Sequence, residues 1–302
     1  MRSYELPDLR GRLAVVTGAS DGIGLRLAER LAAAGAELIL PVRNPSKGAA
    51  AATRIRATTP TTTRPLAPVA TRALDLADLA SVRALGETLR TEGRPIDLLV
   101  LNAAIMAPPS RRESPDGLEL QFATNFLGHF ALVAHLLPLL RAARARVTTV
   151  SSFGARTGRL AWDDLQSRRS YAPMRAYNQS KLAGLLFALE LQRRSAAGGW
   201  GLTSNAAHPG LASTNLQAGA PGLDRAFRRL ARAGILVRTP EAGALPVLFA
   251  AADPRARGGA LYGPGAPREQ RMYRTARDTA AARRLWSAAE DLSGIQLRES
   301  VA

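Results

Sequence analysis

The sequence predicts an α/β protein, a single domain built on one doubly wound parallel sheet of about seven strands with helices on both faces. Three observations predict it. Short apolar runs alternate with helical stretches along nearly all of the 302 residues, the spacing expected of parallel strands joined by right-handed crossovers. A glycine-rich turn stands between the first strand and the first helix. No internal repeat or linker interrupts the pattern, and 46% hydrophobic residues suffice for one large core.

The elements follow in order. Residues 12 to 17, bounded by Gly11 and Gly18, read as a short buried strand. Thr17-Gly-Ala-Ser-Asp-Gly-Ile-Gly24 is the turn, and an amphipathic helix runs from about Leu25 to Ala34, stopping at Gly35. Glycines there let a backbone approach a diphosphate, whose charge the N–H groups of the helix start receive. Glu37 to Val42 is the second strand, 47 to 57 an Ala-rich helix, and 58 to 68 a Thr- and Pro-rich loop. Val69 opens a strand that ends near Asp75, a helix runs to about Arg90, and Pro95 to Asn102 is the fourth strand. A long helix containing Asn125 reaches Leu140, and Arg146 to Ser152 is a fifth strand ending in two hydroxyls. The helix bearing Tyr177 precedes a sixth strand, Leu202 to His208. Residues 210–238 read as a substrate lid, Thr239-Pro-Glu opens another helix, and Ala260 to Gly263 is a seventh strand.

Composition narrows the chemistry. There is no cysteine, and His129, His135 and His208 are scattered, which argues against disulfides, thiolate ligands and any dedicated metal site. No signal peptide and no uninterrupted apolar span of membrane length is read, so a soluble, cytoplasmic protein without stable membrane insertion is expected. The net charge of +17 is spread along the chain with 24 acids interleaved and no nucleic-acid motif, so no nucleic-acid partner is expected. Arg225, Arg228, Arg229 and Arg232 share one helical face, which reads as solvated unless an acidic carrier or anionic surface meets it.

The densest chemical signal is Tyr171 to Lys181. An apolar, Pro-free run of helix formers follows, so Tyr177 and Lys181, four apart, share a helical face. An ammonium beside a phenol favours the phenolate and is expected to lower the Tyr177 pKa, making it an acid–base group. Of 41 basic residues only Lys47 and Lys181 are lysine, so a lysine here stands against the bias of the whole chain towards arginine. At the end of the second strand the acid that would hold a ribose 2′-hydroxyl is missing, and Val42-Arg43 stands there. Arg43 can pair with a 2′-phosphate, which favours NADP(H) over NAD(H).

Thr-Gly-x-x-x-Gly-x-Gly at 17 to 24, Asp75, Asn102-Ala-Ala, Asn125, Ser152, Tyr-x-x-x-Lys at 177 to 181 and Pro209-Gly210, in that order, resemble the short-chain dehydrogenase/reductase family over nearly the whole chain. Leu127-Gly-His-Phe130, Trp162-Asp-Asp-Leu165, Tyr177 to Ala183 and His208-Pro-Gly210 resemble its retinol dehydrogenase-like branch, and the long interval between Ser152 and Tyr177 suits an insertion there. The resemblance implies a Rossmann-type fold and a catalytic set of Asn125, Ser152, Tyr177 and Lys181. Tyr177 exchanges the proton of a carbonyl or alcohol oxygen, Ser152 hydrogen-bonds that oxygen, Lys181 holds the nicotinamide ribose, and Asn125 supports Lys181 through a water. It implies cofactor contacts from Gly18, Ser20, Asp21, Gly22, Ile23, Gly24, Arg43, Asp75, Leu76, Asn102, Ala103, Tyr177, Lys181, Pro209, Gly210 and Thr214, and no metal.

Leu101 and Ala104 depart from the family's Asn-Asn-Ala-Gly, and Asp21 stands where many NADPH-using relatives carry a base. NADP(H) therefore rests on Arg43, with Lys47 as a second contact. The expected activity is interconversion of a ketone or aldehyde and its alcohol on a fairly apolar small molecule. The alternatives are a non-catalytic NADP(H)-binding sensor or scaffold, which would not need the four active-site groups, and a sugar-nucleotide epimerase, which the glycine spacing disfavours. By analogy with relatives, a homo-oligomer would form through the helices carrying Asn125 and Tyr177.

Overall fold

The computed structural model describes residues 4–59, 67–210, 239–265 and 268–297. All but the first residue of the expected lid lies outside the described residues, as do Thr214 and the arginines from Arg225 to Arg232.

One mostly parallel sheet organises the chain. Its strands are β1 (Leu13–Val16), β2 (Glu37–Val42), β3 (Val69–Ala73), β4 (Leu98–Leu101), β5 (Arg146–Val150), β6 (Thr203–Ala207), β7 (Leu261–Gly263) and β8 (Arg268–Gln270). They lie in the order β3-β2-β1-β4-β5-β6-β7-β8. Only β8 is antiparallel, pairing Arg268 with Gly263 and Gln270 with Leu261. It is an eighth strand beyond the seven expected; three residues of Arg-Glu-Gln carry no apolar alternation that sequence could reveal. Because β1 pairs with β2 on one side and β4 on the other, the winding reverses there and opens a crevice at the C-terminal strand ends.

Alternate strand residues serve the two faces. Leu13, Val15, Leu99, Leu101 and Val147 face one core, while Ala14, Val16, Leu98, Val100 and Val150 face the other. Helices α1 (Gly22–Ala33), α2 (Pro45–Thr58) and, near the C-terminus, Pro240–Ala252 cover the second face. Helices α3 (Leu79–Glu92), α4 (Leu120–Ala142) and α5 (Pro173–Ala197) cover the first, with Pro240–Ala252 numbered α6 and the closing Thr279–Ser293 numbered α7. Phe126, Phe130, Phe187 and Trp286 meet in this first core at ring separations of 5.3–6.4 Å, tying α4 and α5 to α7.

Helix starts follow side-chain chemistry. The Asp21 carboxylate accepts from Gly22 N at 2.7 Å, so α1 begins at Gly22 rather than at the expected Leu25. Asn44 caps α2 through Lys47 N, and Asp78 caps α3 through Ala80 N. Sequence reading found no apolar span of membrane length, yet α4 is long and apolar enough to cross a membrane by those criteria alone. Its apolarity has another cause: 72% of that window is buried inside the protein.

Within α4, residues Ala123–Leu127 form a π-helical turn in which Gly128 N reaches back to Ala123 O. Such turns shift the carbonyl ladder of a helix and gather at functional sites. At Gly128 the helix rests on the backbone just after β3, and a Cβ there would fall inside contact distance of the Leu76 carbonyl. Gly128→Ala should therefore destabilise the protein by about 1–3 kcal/mol, although alanine is the better helix former. Urea unfolding measures this, and an unchanged midpoint would show that the helix does not rest on Leu76 as described.

Candidate active site

All the described residues singled out from the sequence fall at the C-terminal edge of the sheet or on a helix reaching it. Gly18 to Gly24 follow β1 and start α1; Arg43 follows β2; Asp75 and Leu76 follow β3; Asn102 and Ala103 follow β4; Ser152 follows β5; Pro209 and Gly210 follow β6. Asn125 lies in the π-turn of α4, and Tyr177 and Lys181 share one face of α5.

The turn after β1 is held by direct backbone approach. Gly18 has φ +67°, and a Cβ on it would lie 2.8 Å from the Ala103 Cα. At Gly24 a Cβ would collide with the Gly18 carbonyl and sit 2.5 Å from Asn102 Nδ2. Only glycine fits either place. Asn102 Nδ2 donates to Thr17 O at 2.9 Å and to Gly18 O at 3.3 Å, locking the turn against β4. Asp21 already engages the Gly22 amide, and the next amides of α1, those of Ile23 and Gly24, precede the first full helical turn and can meet an anion. Arg43 and Lys47 are exposed, and neither makes an ion pair among the described residues. Asp75 accepts from Ala77 N at 2.9 Å through Oδ1, which shapes the corner beyond β3. A dinucleotide fits these groups: a cradle that a Cβ would fill, and two free cations where the adenosine end would lie.

Thr17 is buried and joins this turn to the catalytic candidates. Its Oγ1 accepts from the amides of Asn102 at 2.9 Å and Ala103 at 3.0 Å. Both lone pairs are thereby used, so its own proton points to His129 Nε2 at 3.0 Å in preference to Val100 O at 3.3 Å. This hydrogen-bond network assigns the His129 proton to Nδ1, which faces the Asn125 carbonyl at 3.3 Å. Burial holds His129 neutral, pushing its pKa down to about 3.

The Asn125 side chain has no hydrogen left to give. Nδ2 donates to Ile105 O and to Ser180 Oγ, each at 2.9 Å, and Oδ1 accepts from Ile105 N at 2.8 Å. In any water link towards Lys181, Asn125 can therefore only accept, at its backbone carbonyl or at the remaining lone pair of Oδ1. Ser180 in turn donates to Tyr177 O at 2.8 Å. The network ties α4, α5 and the loop after β4 at one point.

Tyr177 and Lys181 are each 5% exposed. The Tyr177 ring packs on Met106 and Ala107, and Ser152 caps the turn Phe153–Arg156 by accepting from Gly154 N at 3.1 Å. Lys181 Nζ donates to Val150 O at 3.1 Å and stands 6.0 Å from the Tyr177 ring centroid. One expectation is corrected. Lys181 was to lower the phenol pKa, but burial raises the Tyr177 phenol above its ordinary value, opposed by the neighbouring Ser152 hydroxyl. Burial also pushes the unpaired Lys181 ammonium down to about 8. Desolvation opposes both charged forms and is the leading cause of each shift.

Sequence reading missed Thr17, His129, Ser180 and Gln121 as site-building residues. Gln121 Oε1 accepts from Ala107 N at 2.7 Å and so holds the loop against which Tyr177 packs. A signal existed for His129: it is a polar residue inside the apolar run Phe126-Leu-Gly-His-Phe130.

His129 gives a pH dependence of known sign. Its folded pKa is depressed, so the unfolded chain binds the proton first, and the stability it contributes above about pH 6.5 is lost as pH falls towards about 3. His129→Gln should remove about 2 kcal/mol of the stability difference between pH 7 and about pH 4.5. Urea unfolding at the two pH values measures it, and an unchanged difference would mean that His129 is not buried neutral.

The family model for short chain dehydrogenase matches residues 12–221. The chain is 40% identical over 295 residues to the polyprenol dehydrogenase of Mus musculus, covering 96% of this chain and 86% of that protein. It is 38% identical over 292 residues to retinol dehydrogenase 13 of Homo sapiens, covering 95% and 86%. Among solved structures, a 3-oxoacyl (acyl-carrier-protein) reductase of Agrobacterium tumefaciens with NADP bound is similar at TM-score 0.66 and 26% identity, over 85% of this chain and 94% of that one.

Proposed function

The chain belongs to the short chain dehydrogenase family, in its retinol dehydrogenase-like branch, and we propose that it is an NADP(H)-dependent oxidoreductase interconverting an apolar aldehyde or ketone and its alcohol. The observation that carries this reading is the meeting of a buried phenol, a buried ammonium and a serine hydroxyl at the sheet edge that holds the glycine turn. The nicotinamide supplies or accepts the hydride.

The protein's own residues do the rest. Tyr177, held neutral by burial, is a proton donor for the oxygen of a carbonyl undergoing reduction and takes the proton back in oxidation. Ser152 Oγ hydrogen-bonds the same oxygen. Lys181, anchored on Val150 O, places a positive charge beside the phenol and offers donors to a ribose hydroxyl. Asn125 fixes α5 through Ser180 and so sets the height of Tyr177 at the strand ends.

Arg43 supports NADP(H), because an exposed guanidinium without an acid partner among the described residues suits a 2′-phosphate. An apolar substrate is supported by Phe153 and Met174, 48% and 37% exposed. They are the exposed large apolar side chains among the described residues; one follows Ser152 and the other precedes Tyr177 by one helical turn. The relatives' names, polyprenol dehydrogenase and retinol dehydrogenase, denote apolar alcohols of this kind.

Oxidation of NADPH followed by absorbance across a panel of apolar aldehydes and ketones tests the reading. Tyr177→Phe should lower kcat by about 10²–10⁴-fold while NADPH binding, followed by fluorescence, changes little. Undiminished turnover would remove the mechanism, and NADPH binding without turnover on any carbonyl would leave a binding protein instead. In a second test, Val42→Asp with Arg43→Gln should reduce the NADPH-to-NADH ratio of kcat/KM by about 10–100-fold. An unchanged ratio would refute the assignment to Arg43.

A further inference from the structure

Beside the candidate site lies an open cavity of about 930 Å³, between the turn that follows Ser152 and the β8 hairpin with its continuation. It is lined by Arg156, Arg159, Arg268, Arg271, Arg274 and Arg277, and by a single acid, Glu269. That acid is already engaged, since Arg257 donates to its carboxylate at 2.5 Å. None of the six lining arginines makes an ion pair among the described residues. Tyr273 also lines the cavity, and its hydroxyl, enclosed by the protein, has no hydrogen-bond partner among the described residues.

Local folding brings these groups together. The antiparallel pairing of β8 with β7 turns the chain back at Arg268. The single helical turn Arg274–Arg277 places its two arginines one 3₁₀ repeat apart, on the same side. Thr275 Oγ1 donates to Ala155 O at 3.3 Å, fastening that turn to Phe153–Arg156, so Arg156 meets the others across the opening. Six guanidinium groups gathered with no free counter-charge repel one another. An anion relieves that repulsion. A phosphate offers multiple anionic oxygens and accepts bidentate pairs from arginines.

We infer that this cavity is a binding site for a phosphate or diphosphate group, separate from the dinucleotide turn. It lies by the substrate opening. Arg156 sits over the Phe153 ring at 5.7 Å, and Gln270 and Tyr273, both in the lining, contact His208, whose Nδ1 accepts from Gly210 N at 3.3 Å. A bound anion would therefore lie against residues that contact His208, at the end of β6. Its ligand is either a soluble phosphate compound or the headgroup of an anionic lipid presenting an apolar chain to Phe153.

The test titrates inorganic pyrophosphate calorimetrically into the full chain, with and without saturating NADPH, so that binding at the dinucleotide turn is blocked in one arm. The expected result is one site that survives NADPH and weakens with added salt. Arg271→Gln with Arg274→Gln should weaken it about 10-fold or more, while the charge-matched pair Arg83→Gln with Arg90→Gln on α3 should change it less than about 2-fold. All four side chains are exposed, so folding should be preserved, and circular dichroism checks this. No binding beyond the NADPH-blocked site, or equal loss in both pairs, would overturn the inference. Should NADPH itself fail to bind, the oxidoreductase reading suffers, yet a site that Arg271 and Arg274 control would still stand. Co-sedimentation with phosphatidylglycerol or phosphatidylcholine vesicles assigns the source. Retention by the first alone, competed by pyrophosphate, identifies a lipid headgroup, and pyrophosphate binding without vesicle binding identifies a soluble phosphate.

Discussion

A buried chain of hydrogen bonds sets where everything else at the sheet edge can be. It runs from the amides of Asn102 and Ala103, through Thr17 Oγ1 and the neutral ring of His129, to the Asn125 carbonyl. The Asn125 side chain then grips Ser180, in the stretch of helix α5 that runs from Tyr177 to Lys181. Each group is desolvated, so an unmade bond would cost more than a made one contributes. The glycine turn and the Tyr–Lys pair consequently cannot drift independently. A rigid polar strut spans the 17–103 corner and the two helices that face it.

Burial governs the chemistry at the far end of that strut. With Tyr177 and Lys181 each almost fully enclosed, desolvation disfavours phenolate and ammonium alike. A neutral phenol thus faces a lysine whose pKa burial has lowered to about 8. Water is kept from the phenol by Met106 and Ala107 on one side, while Phe153 and Met174 leave an apolar rim outside. An oxygen presented there would meet Ser152 and Tyr177 with little competition from solvent. The arginine-lined cavity adjoins this rim, so opposite chemistries lie side by side at one opening.

Much of the fold was legible in the sequence because its signals are local. Apolar runs, glycine turns and capping residues gave the order of strands and helices, which puts Gly18 to Gly24, Arg43, Asp75, Asn102 and Ser152 at strand ends, while Leu76, Ala103, Pro209 and Gly210 came from the family resemblance. The exceptions have physical reasons. Asp21 moved the start of α1 forward by capping Gly22, and β8, made of Arg268, Glu269 and Gln270, pairs through backbone groups that leave no side-chain pattern. The direction of the Tyr177 shift was misread because spacing reveals that a cation is near but not how thoroughly both groups are buried. Likewise, Asn125 was found by motif, yet that its amide is spent on Ile105 and Ser180 depends on a π-turn and on three-dimensional neighbours. The six arginines of the cavity come from two segments more than a hundred residues apart, and in a chain this rich in arginine no composition window marks them.

The central claim is that a protein-held nicotinamide exchanges hydride with an apolar substrate while Tyr177 handles the proton. Isotope transfer tests it most directly. With an apolar aldehyde and reduced nicotinamide dinucleotide phosphate deuterated at C4, the account predicts alcohol carrying deuterium on the former carbonyl carbon, detected by mass spectrometry, from the native chain and not from Tyr177→Phe. Label transferred equally by both proteins, or bound cofactor with no label in the product of any apolar carbonyl, would contradict it.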